Sequence, residues 1–439
     1  MTDGQPHIAH PAATDLAAGN LGARDLAAPA QAGQPDGVFA DLTGQEAVVA
    51  QLRRAARAAA RVLAGAPASG MTHAWLFTGP PGSGRSVAAR AFAAALLCPD
   101  GGCGGSAGGS GGSVPPGGYC AACHQVRAGT HADLMVVQPD GLSYGVKQTR
   151  DLVLRAAGAP SGGRWRVVLF EDADRCTEQA ANALLKAIEE PAPRTVWLLC
   201  APSAEDLVTT IRSRCRVVRL RIPSSEAVAS VLTSRDRIDP ARALAAARAA
   251  QGHIGRARRL AIDPDARKRR DEVLAVPLRA SSLGPALAAA AALVRTAEEE
   301  AQAVTDELDE PEREALRQAF GEGSTGKGVA KAVRGAAGAL RDLEDRQKSR
   351  ATRLKRDSLD RALLDLAGFY RDVLMIQIGA GVELANADHE DELRELAASS
   401  GPEATLRRIQ AVMRCRERLA ASVAPLLAVE ELTISLTAG

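Results

Sequence analysis

Eight consecutive residues between an apolar segment and an Ala-rich segment carry the strongest chemical signal in the chain. They are Gly79, Pro80, Pro81, Gly82, Ser83, Gly84, Arg85 and Ser86. In a phosphate-binding loop, glycines let backbone N–H groups wrap the phosphates, a lysine reaches the β- and γ-phosphates, and a Ser or Thr hydroxyl ligates Mg²⁺. Arg85 occupies the lysine position, and its planar guanidinium keeps the charge but not the compact shape of an ammonium group. The spacing predicts a P-loop with weak or absent binding of ATP and Mg²⁺ and with poor positioning of the γ-phosphate.

A second group of residues has the chemistry of a structural zinc site. The candidate ligands are Cys98, Cys103, Cys120 and Cys123. Cys120 and Cys123 have the spacing of a chelating pair, and thiolate ligands around a tetrahedral Zn²⁺ fix loops that are too polar to fold alone. Cys103 would have to reach the site across the Gly/Ser/Pro-rich insertion 104–118. Ligation by His124 and unliganded thiols therefore stay open as alternatives.

The remaining cysteines have no such spacing and are expected to be unliganded, with Cys215 buried. They are Cys176, Cys200, Cys215 and Cys415. A long chain with eight cysteines and no secretion signal favours metal ligation or buried thiols over disulfides.

Composition excludes some classes of partner. The 54 basic and 52 acidic side chains give a net charge of +2, so nucleic acid could be bound only through local patches. No apolar run approaches the roughly 18 to 20 residues that span a bilayer, and the first residues lack a basic-then-apolar signal. We therefore expect a cytoplasmic protein with no membrane partner.

Short apolar strands alternate with helical segments in the first half of the chain, which predicts an α/β fold with a parallel sheet and crossover helices. The predicted strands are Ala74–Thr78, Leu134–Gln138, Trp165–Phe170, Thr195–Cys200 and Arg216–Leu220.

After Pro223 the pattern is helical, beginning with a Ser224-Ser225-Glu226 cap. Two apolar sets recur at helical spacing: Leu359, Leu363, Leu366, Tyr370, Val373 and Leu374, and then Leu406, Ile409, Met413 and Leu419. The charge-dense segments 298–314 and 341–356 are interpreted as solvated helix faces.

Three further segments make the interpretation of the P-loop more specific. They are Phe39 to Glu46 (FADLTGQE), Asn182 to Pro191 (NALLKAIEEP) and Ile211 to Cys215 (IRSRC). Together with the P-loop they resemble the clamp-loader branch of the AAA+ ATPases, strongly over 38–259 and again near the carboxyl end, over 419–436. The segment 296–357 has no clear counterpart in that family.

The resemblance implies a domain organisation and a set of partners. The expected parts are a disordered tail (1–37), an AAA+ P-loop domain (38–222) with a zinc-module insertion (98–124), a helical lid (223–270) and an all-α collar for oligomerisation (271–439). The implied partners are the gamma/tau and delta clamp-loader subunits. The resemblance implies that these subunits assemble into a pentameric ring, which loads the sliding clamp on primer-template DNA.

Several positions depart from the active members of that family. The acidic pair after the third strand is Glu171-Asp172, the reverse of the Asp-Glu order that holds Mg²⁺ and polarises water. Ala201-Pro202 lies where a Thr or Asn senses the γ-phosphate, and neither side chain donates a hydrogen bond. Gly255 takes the place of a nucleotide-sensing arginine, with Arg256 one residue away. The resemblance therefore implies a weak or inactive ATPase and a non-motor subunit.

Two further positions bear on the resemblance. Arg214 matches the family's arginine finger, which would act in trans on the ATP of a neighbouring subunit, whereas in an arbitrary sequence it would be an ordinary surface arginine. The family's second zinc cysteine falls at Gly117, which puts a four-thiolate site in question.

Two rival functions stay open. One is a self-sufficient ATPase that resembles the gamma/tau motor. The other is a zinc-dependent nucleic-acid-binding module that uses the basic segment 341–356. It is weaker, because no aromatic stacking platform accompanies the basic residues.

Overall fold

The computed structural model describes residues 37–67, 70–102, 119–139, 141–162, 164–319 and 329–437. The predicted disordered tail lies outside these residues except for Gly37, and so do Cys103 and the insertion 104–118. None of the helices in the described ranges is long and apolar enough to cross a membrane.

The first half of the chain forms a five-stranded parallel sheet. Its strands are β1 (Ala74–Thr78), β2 (Leu134–Val137), β3 (Arg166–Phe170), β4 (Thr195–Ala201) and β5 (Arg216–Arg219), in the order β2-β3-β4-β1-β5. Every residue of β1 and β4 is buried, as expected for continuous apolar runs in a sheet covered on both faces. The predicted α/β fold with a parallel sheet is confirmed, and each predicted strand is found to within about one residue at each end.

Helices cover both faces of the sheet. One face packs against α1 (Glu46–Leu63), α2 (Arg85–Leu97) and α3 (Ala121–Ala128), and the other packs against α4 (Val146–Ala156), α5 (Glu178–Glu189) and α6 (Thr209–Arg212). Alternation along β1 sends Trp75 and Phe77 to the first face and Leu76 to the second. The Trp75 ring meets Phe92 of α2 edge-to-face at 4.9 Å between centroids. This contact fixes the helix that follows the P-loop.

A short helical layer follows the sheet. It consists of α7 (Ser225–Asp236), α8 (Pro240–Ala249) and α9 (Ile254–Ile262), which we call the lid helices. The predicted cap is confirmed, because the Ser224 hydroxyl accepts the Ala227 N–H at 3.2 Å and satisfies a donor in the first turn of α7. The core of this layer is rich in alanine, which lets its helices approach closely.

The described residues after the lid helices are mostly helical, as predicted. The helices are α10 (Pro264–Leu274), α11 (Val276–Arg279), α12 (Leu283–Ala319), α13 (Val329–Gln377), α14 (Glu390–Ser399), α15 (Pro402–Ala420) and α16 (Pro425–Thr437). Ion pairs join Arg350 to Asp309 and Lys355 to Glu298, so α12 and α13 run antiparallel. These two helices contain the described residues of the segment 296–357, which lacked a counterpart.

Burial confirms most of the first predicted apolar helix face and only part of the second. Leu359, Leu363, Leu366, Tyr370 and Val373 are all buried, whereas Leu374 is half-buried. On α15, however, Leu406 and Met413 are 46% and 41% exposed. The buried residues of that helix include small or β-branched ones, namely Ala404, Thr405, Ala411, Val412 and Cys415. Of the predicted set, Leu419 is buried and Ile409 is partly buried against the core, so the helix packs through part of the predicted face together with these smaller residues.

The helix α13 also contacts the sheet domain. Arg353 donates from Nη1 to the Pro139 carbonyl at 2.9 Å, just beyond the end of β2. Asp357 lies 3.4 Å from Nη2 of Arg175, whose Nε is 3.8 Å from a carboxylate oxygen of Asp172. These contacts brace the loops that follow β2 and β3.

A carboxylate joins the lid helices to α12 and α13. Glu300 pairs with Arg259 of α9 at 2.7 Å and with Arg361 of α13 at 3.1 Å, and it accepts a hydrogen bond from the Ser358 hydroxyl. Burial acts to raise the pKa of Glu300, but the hydroxyl and the two guanidinium groups outweigh it and lower the pKa to about 2. The junction therefore depends on the ionised form of this carboxylate.

We expect Glu300→Gln to lower the free energy of unfolding at neutral pH by about 1 to 3 kcal/mol. The carboxylate is held at a pKa of about 2 against its ordinary value of 4.5, so its contribution is complete above about pH 4.5 and is lost as the pH falls towards 2. Urea unfolding followed by circular dichroism across this range should show a smaller pH dependence in the variant. Glu299→Gln is the matched control, because Glu299 is 70% exposed and pairs with Arg295 at 3.8 Å. Equal losses in the two variants would contradict this role for Glu300.

Candidate functional site

The P-loop lies between the end of β1 and the start of α2. Gly84 caps α2 in a left-handed conformation with φ of 85°, so the helix begins at Arg85. The N-terminus of α2 therefore points its unpaired N–H groups and the positive end of its dipole into the loop. The loop therefore presents backbone N–H donors at the place where the sequence predicts phosphate binding.

A cavity of about 190 Å³ adjoins this loop. It is lined by three parts of the chain: Asp41, Leu42, Thr43 and Gln45; Gly82, Ser83, Gly84, Arg85, Ser86 and Val87; and Pro223, His253, Ile254 and Gly255. The volume falls below the roughly 300 Å³ at which small-molecule pockets usually begin. Among the described residues, Ser83 Oγ and Arg85 Nη1 are buried without a hydrogen-bond partner. Both atoms could bind a phosphate oxygen, so the loop fits an anion better than it fits a whole nucleotide.

His253 narrows this cavity from the side of the lid helices. A Cβ atom added to Gly82, whose φ is 89°, would lie 3.0 Å from the His253 Cβ, so only glycine fits there. The His253 Nδ1 accepts the Arg256 N–H at 3.2 Å and caps α9. Burial, and then the charge of Arg256, lowers the pKa of His253, so the ring is neutral at neutral pH. An uncharged lid residue thus packs directly against the P-loop.

The expected sensor arginine has another partner. Gly255 occupies the predicted position in α9 and lines the cavity, whereas the Arg256 guanidinium pairs with Asp365 of α13. Asp365 also lies 3.8 Å from Nε of Arg270, which is itself buried. The sequence indicated that Arg256 is displaced by one residue but not that α13 engages it.

The acidic pair follows β3 at the same edge of the sheet as the P-loop. Glu171 accepts hydrogen bonds from Arg90 Nη2 at 3.2 Å and from Gln138 Nε2 at 2.8 Å. Asp172 has a left-handed backbone with φ of 49° and pairs with Arg175. Both carboxylates are therefore already engaged by cationic or amide groups, and this arrangement does not fit a Mg²⁺ site. The donors Arg90 and Gln138 were missed, because nothing local in the sequence connects them to Glu171.

The turn after β4 is also hydrogen-bonded within the protein. The Pro202 carbonyl accepts the Gly79 N–H at 3.1 Å, which ties this turn to the start of the P-loop. The Ser203 hydroxyl donates to Glu205, and the Ser203 N–H donates to Asp206 at 2.8 Å. Pro202 contributes a structural hydrogen bond from its backbone, as expected of a residue without a donating side chain.

Three of the four predicted zinc ligands come together. Cys98 follows the end of α2, Cys120 caps α3, and Cys123 lies in the first turn of α3. Their sulfur atoms are 3.7 Å apart between Cys98 and Cys120 and 3.6 Å apart between Cys120 and Cys123. Thiolates 2.3 Å from a tetrahedral zinc ion lie about 3.8 Å from each other. The cluster could therefore hold a metal ion, and the position of Cys103 lies outside the described residues.

The other sulfur and nitrogen candidates lie elsewhere. The His124 ring packs edge-on against Tyr119 at 5.7 Å, and His124 is not among the three grouped ligands. Burial raises the pKa of Cys176 and of Cys215 to about 12, and that of Cys415 to about 11. Cys215 is half-buried rather than fully buried. These thiols therefore stay protonated at neutral pH.

Arg214 lies just after α6, at the surface. Its Nη2 is 2.6 Å from Glu189 at the end of α5, and its Nη1 donates to the Thr210 carbonyl at 2.9 Å and to the Ser213 hydroxyl at 3.2 Å. The arginine is about 40% exposed, so part of its guanidinium is available to a second molecule. Sequence reasoning identified the arginine but missed Glu189, which belongs to the NALLKAIEEP segment.

Two family models match separate parts of the chain. The model described as DNA polymerase III, delta subunit, matches residues 57–224. The model described as DNA polymerase III, delta subunit, C terminal, matches residues 351–437. Most of the segment 296–357 lies between the two matches.

Individual relatives give the same picture. DNA polymerase III subunit delta' of Haemophilus influenzae is 40% identical over 125 residues, which are 28% of this chain and 38% of the relative. The delta' subunit of Pseudomonas aeruginosa is 38% identical over 175 residues, covering 39% of this chain and 50% of the relative. DNA polymerase III subunit gamma/tau of Mycobacterium tuberculosis is 34% identical over 177 residues, covering 40% of this chain and 27% of the relative. The aligned region thus spans half or less of each of these curated relatives.

Proposed function

The chain belongs to the DNA polymerase III delta-subunit family, and from this premise we propose that it is a delta-prime-type subunit of a replicative clamp loader. The observation that carries the proposal is the match of both delta-subunit regions on one chain, residues 57–224 and 351–437. In this proposal, the subunit assembles in the cytoplasm with gamma/tau and delta subunits. The assembled complex loads the sliding clamp on primer-template DNA.

The geometry of the P-loop supports a non-motor role. Arg85 replaces the lysine, and Glu171, at the metal-facing position, is held by Arg90 and Gln138. His253 packs against the loop, and Arg256 is engaged by Asp365. If a nucleotide binds, Ser83, Arg85 and the N–H groups at the start of α2 would hold its phosphates. The nucleotide would supply an anion there, and the carboxylates of Glu171 and Asp172 are already paired with protein groups.

The catalytic contribution of the subunit would then be made in trans through Arg214. A guanidinium placed against the γ-phosphate of a neighbouring subunit stabilises the charge that develops in the transition state. The partial exposure of Arg214 and its fixed position beside α5 support this role. The subunit would complete an ATPase site that belongs to another chain.

We also propose that Cys98, Cys120 and Cys123 bind a structural Zn²⁺, with Cys103 as the candidate for the fourth ligand. The sulfur separations of 3.6 and 3.7 Å support tetrahedral ligation. The metal would tie the end of α2 to the start of α3, which flank the insertion 104–118.

We expect the isolated chain to hydrolyse ATP at no more than the background rate in a phosphate-release assay. The Arg85→Lys variant should stay inactive, because the lysine restores one group while Glu171 remains paired with Arg90. Weak binding of a fluorescent ATP analogue is compatible with the proposal. Turnover of about 1 s⁻¹ or faster by the isolated chain would instead support the rival function of a self-sufficient motor.

In the reconstituted complex, Arg214→Ala should leave assembly intact and reduce the ATPase rate that clamp and DNA stimulate. The rate of ATP hydrolysis at the site completed in trans should fall on the order of 10³-fold or more. The other ATPase sites of the complex should keep their activity. Arg214→Lys should recover little, because an ammonium group lacks the planar fork that engages two phosphate oxygens.

Arg212→Ala is the matched control, since Arg212 lies at the end of α6 and its nearest carboxylate, Glu205, is 4.0 Å away. An Arg214→Ala complex that assembles normally and hydrolyses ATP at the unmodified rate would refute the trans role.

Metal analysis of the purified protein should find one zinc ion per chain, and Cys123→Ser should lose it. We expect faster proteolysis near α3 and only a small change in global stability, because the sheet has its own core. Cys415→Ser, in the C-terminal helices, should retain the metal. A folded, metal-free protein whose Cys98, Cys120 and Cys123 all react readily with iodoacetamide would rule out the zinc site.

A further inference from the structure

We infer that Glu189 is a positioning residue for the Arg214 guanidinium. The inference rests on the proposed function, because it concerns the same arginine and the same reaction in trans. The Glu189 carboxylate lies 2.6 Å from Nη2 of Arg214, whereas Nη1 is held by the Thr210 carbonyl and the Ser213 hydroxyl. Of these three contacts, that with Glu189 is the one that is charged and that comes from a different part of the fold.

The position of Glu189 is fixed by the end of α5. The preceding residue, Ile188, is fully buried, and its carbonyl oxygen lies 2.7 Å from His73 Nε2. A carbonyl oxygen only accepts hydrogen bonds, so Nε2 carries the proton in this contact. His73 directly precedes β1, and the bond therefore ties the last turn of α5 to the central part of the sheet. The carboxylate projects from a helix end that cannot shift independently of the sheet.

The segment that carries Arg214 is anchored in the same core. Ile211 of α6 is 3% exposed and belongs to the same apolar cluster as Ile188. Packing within this shared cluster sets the separation between α5 and α6, and with it the distance that the ion pair spans. The ion pair therefore follows from the fixed separation of α5 and α6.

Both electrostatics and side-chain entropy favour the ion pair between Glu189 and Arg214. A carboxylate in the last turn of a helix faces the negative end of the helix dipole, and a cation beside it relieves that repulsion. An exposed arginine side chain has about 2 kcal/mol of rotamer entropy, which must be lost before it can meet a phosphate in one orientation. Contacts that restrict the guanidinium before the neighbouring subunit arrives remove part of that cost.

The contacts leave donors for the phosphate. A guanidinium has five N–H groups in a planar fork, and the contacts with Glu189, Thr210 and Ser213 are made through Nη1 and Nη2. The Nε–H takes no part in these three contacts. Glu189 can thus orient the group while an N–H edge stays open to the γ-phosphate of the neighbouring chain.

The test uses the complete reconstituted complex and its clamp- and DNA-stimulated ATPase. We expect Glu189→Ala to lower kcat by about two- to fivefold, which is the range for an exposed ion pair, with the KM for ATP unchanged. Glu189→Gln should lie between the unmodified protein and the alanine variant, because the amide oxygen still accepts a hydrogen bond. Glu190→Ala is the matched control, since it removes an adjacent exposed carboxylate. Gel filtration and thermal unfolding should show no change in assembly or stability.

A double variant makes the test specific. If Glu189 acts through Arg214, Glu189→Ala should cause no further loss in an Arg214→Ala background. Additive losses, or equal effects of Glu189→Ala and Glu190→Ala, would overturn the inference and leave the finger itself in place. A faster rate in Glu189→Ala would also overturn it, since the carboxylate would then restrain the finger rather than orient it. If Arg214→Ala has no effect, the proposed trans function fails, and the inference fails with it.

Discussion

The sites in the sheet domain depend on the meeting of parallel strand ends at one edge of the sheet. Because β1 lies between β4 and β5, the P-loop after Thr78 comes beside the turn that follows Ala201. The hydrogen bond from the Gly79 N–H to the Pro202 carbonyl joins these two loops directly. The third loop, which carries Glu171 and Asp172, follows β3 on the other side of β4. A parallel sheet places these loops together whether or not they perform catalysis.

At this edge of the sheet, several polar side chains are paired with other protein side chains. Buried or half-buried polar atoms need partners, and at this edge other protein side chains supply several of them. Glu171 accepts hydrogen bonds from Arg90 and Gln138, and Arg256 forms an ion pair with Asp365. Substitution at the P-loop is therefore accompanied by internal pairing at several positions. A single reverting substitution would not free the remaining groups.

Much of the fold could be predicted from local features of the sequence. Strand composition identified the sheet, and the glycine spacing identified the loop between Thr78 and Arg85, because both signals depend only on neighbouring residues. The close sulfur atoms of Cys120 and Cys123 follow from their spacing at the start of one helix. Burial on α15 was not predicted, since Leu406 is exposed although it continues an apolar helical period. Packing against neighbouring helices, and not periodicity alone, decides which face is buried.

The partners of the site residues could not be predicted for a related reason. His253 reaches Gly82 from 171 positions further along the chain, and Asp365 reaches Arg256 from 109 positions away. Such contacts are set by how the lid helices pack between the sheet and α13. The sequence could identify the positions that depart from an active ATPase site. The structure was needed to show which side chains pair with the residues at these positions.

The unbroken course of α13 limits how far the two halves of the protein can tilt against each other. About 25 Å of continuous helix separates Arg353, at the Pro139 carbonyl, from Tyr370 in the C-terminal core, at 1.5 Å per residue. Over that lever arm, a rotation of one degree about the core displaces the distal contact by about 0.4 Å. A rotation of roughly one degree would therefore stretch a 2.9 Å hydrogen bond beyond its normal range. The angular tolerance between the nucleotide-loop edge and the C-terminal helices is thus about one degree while this contact holds.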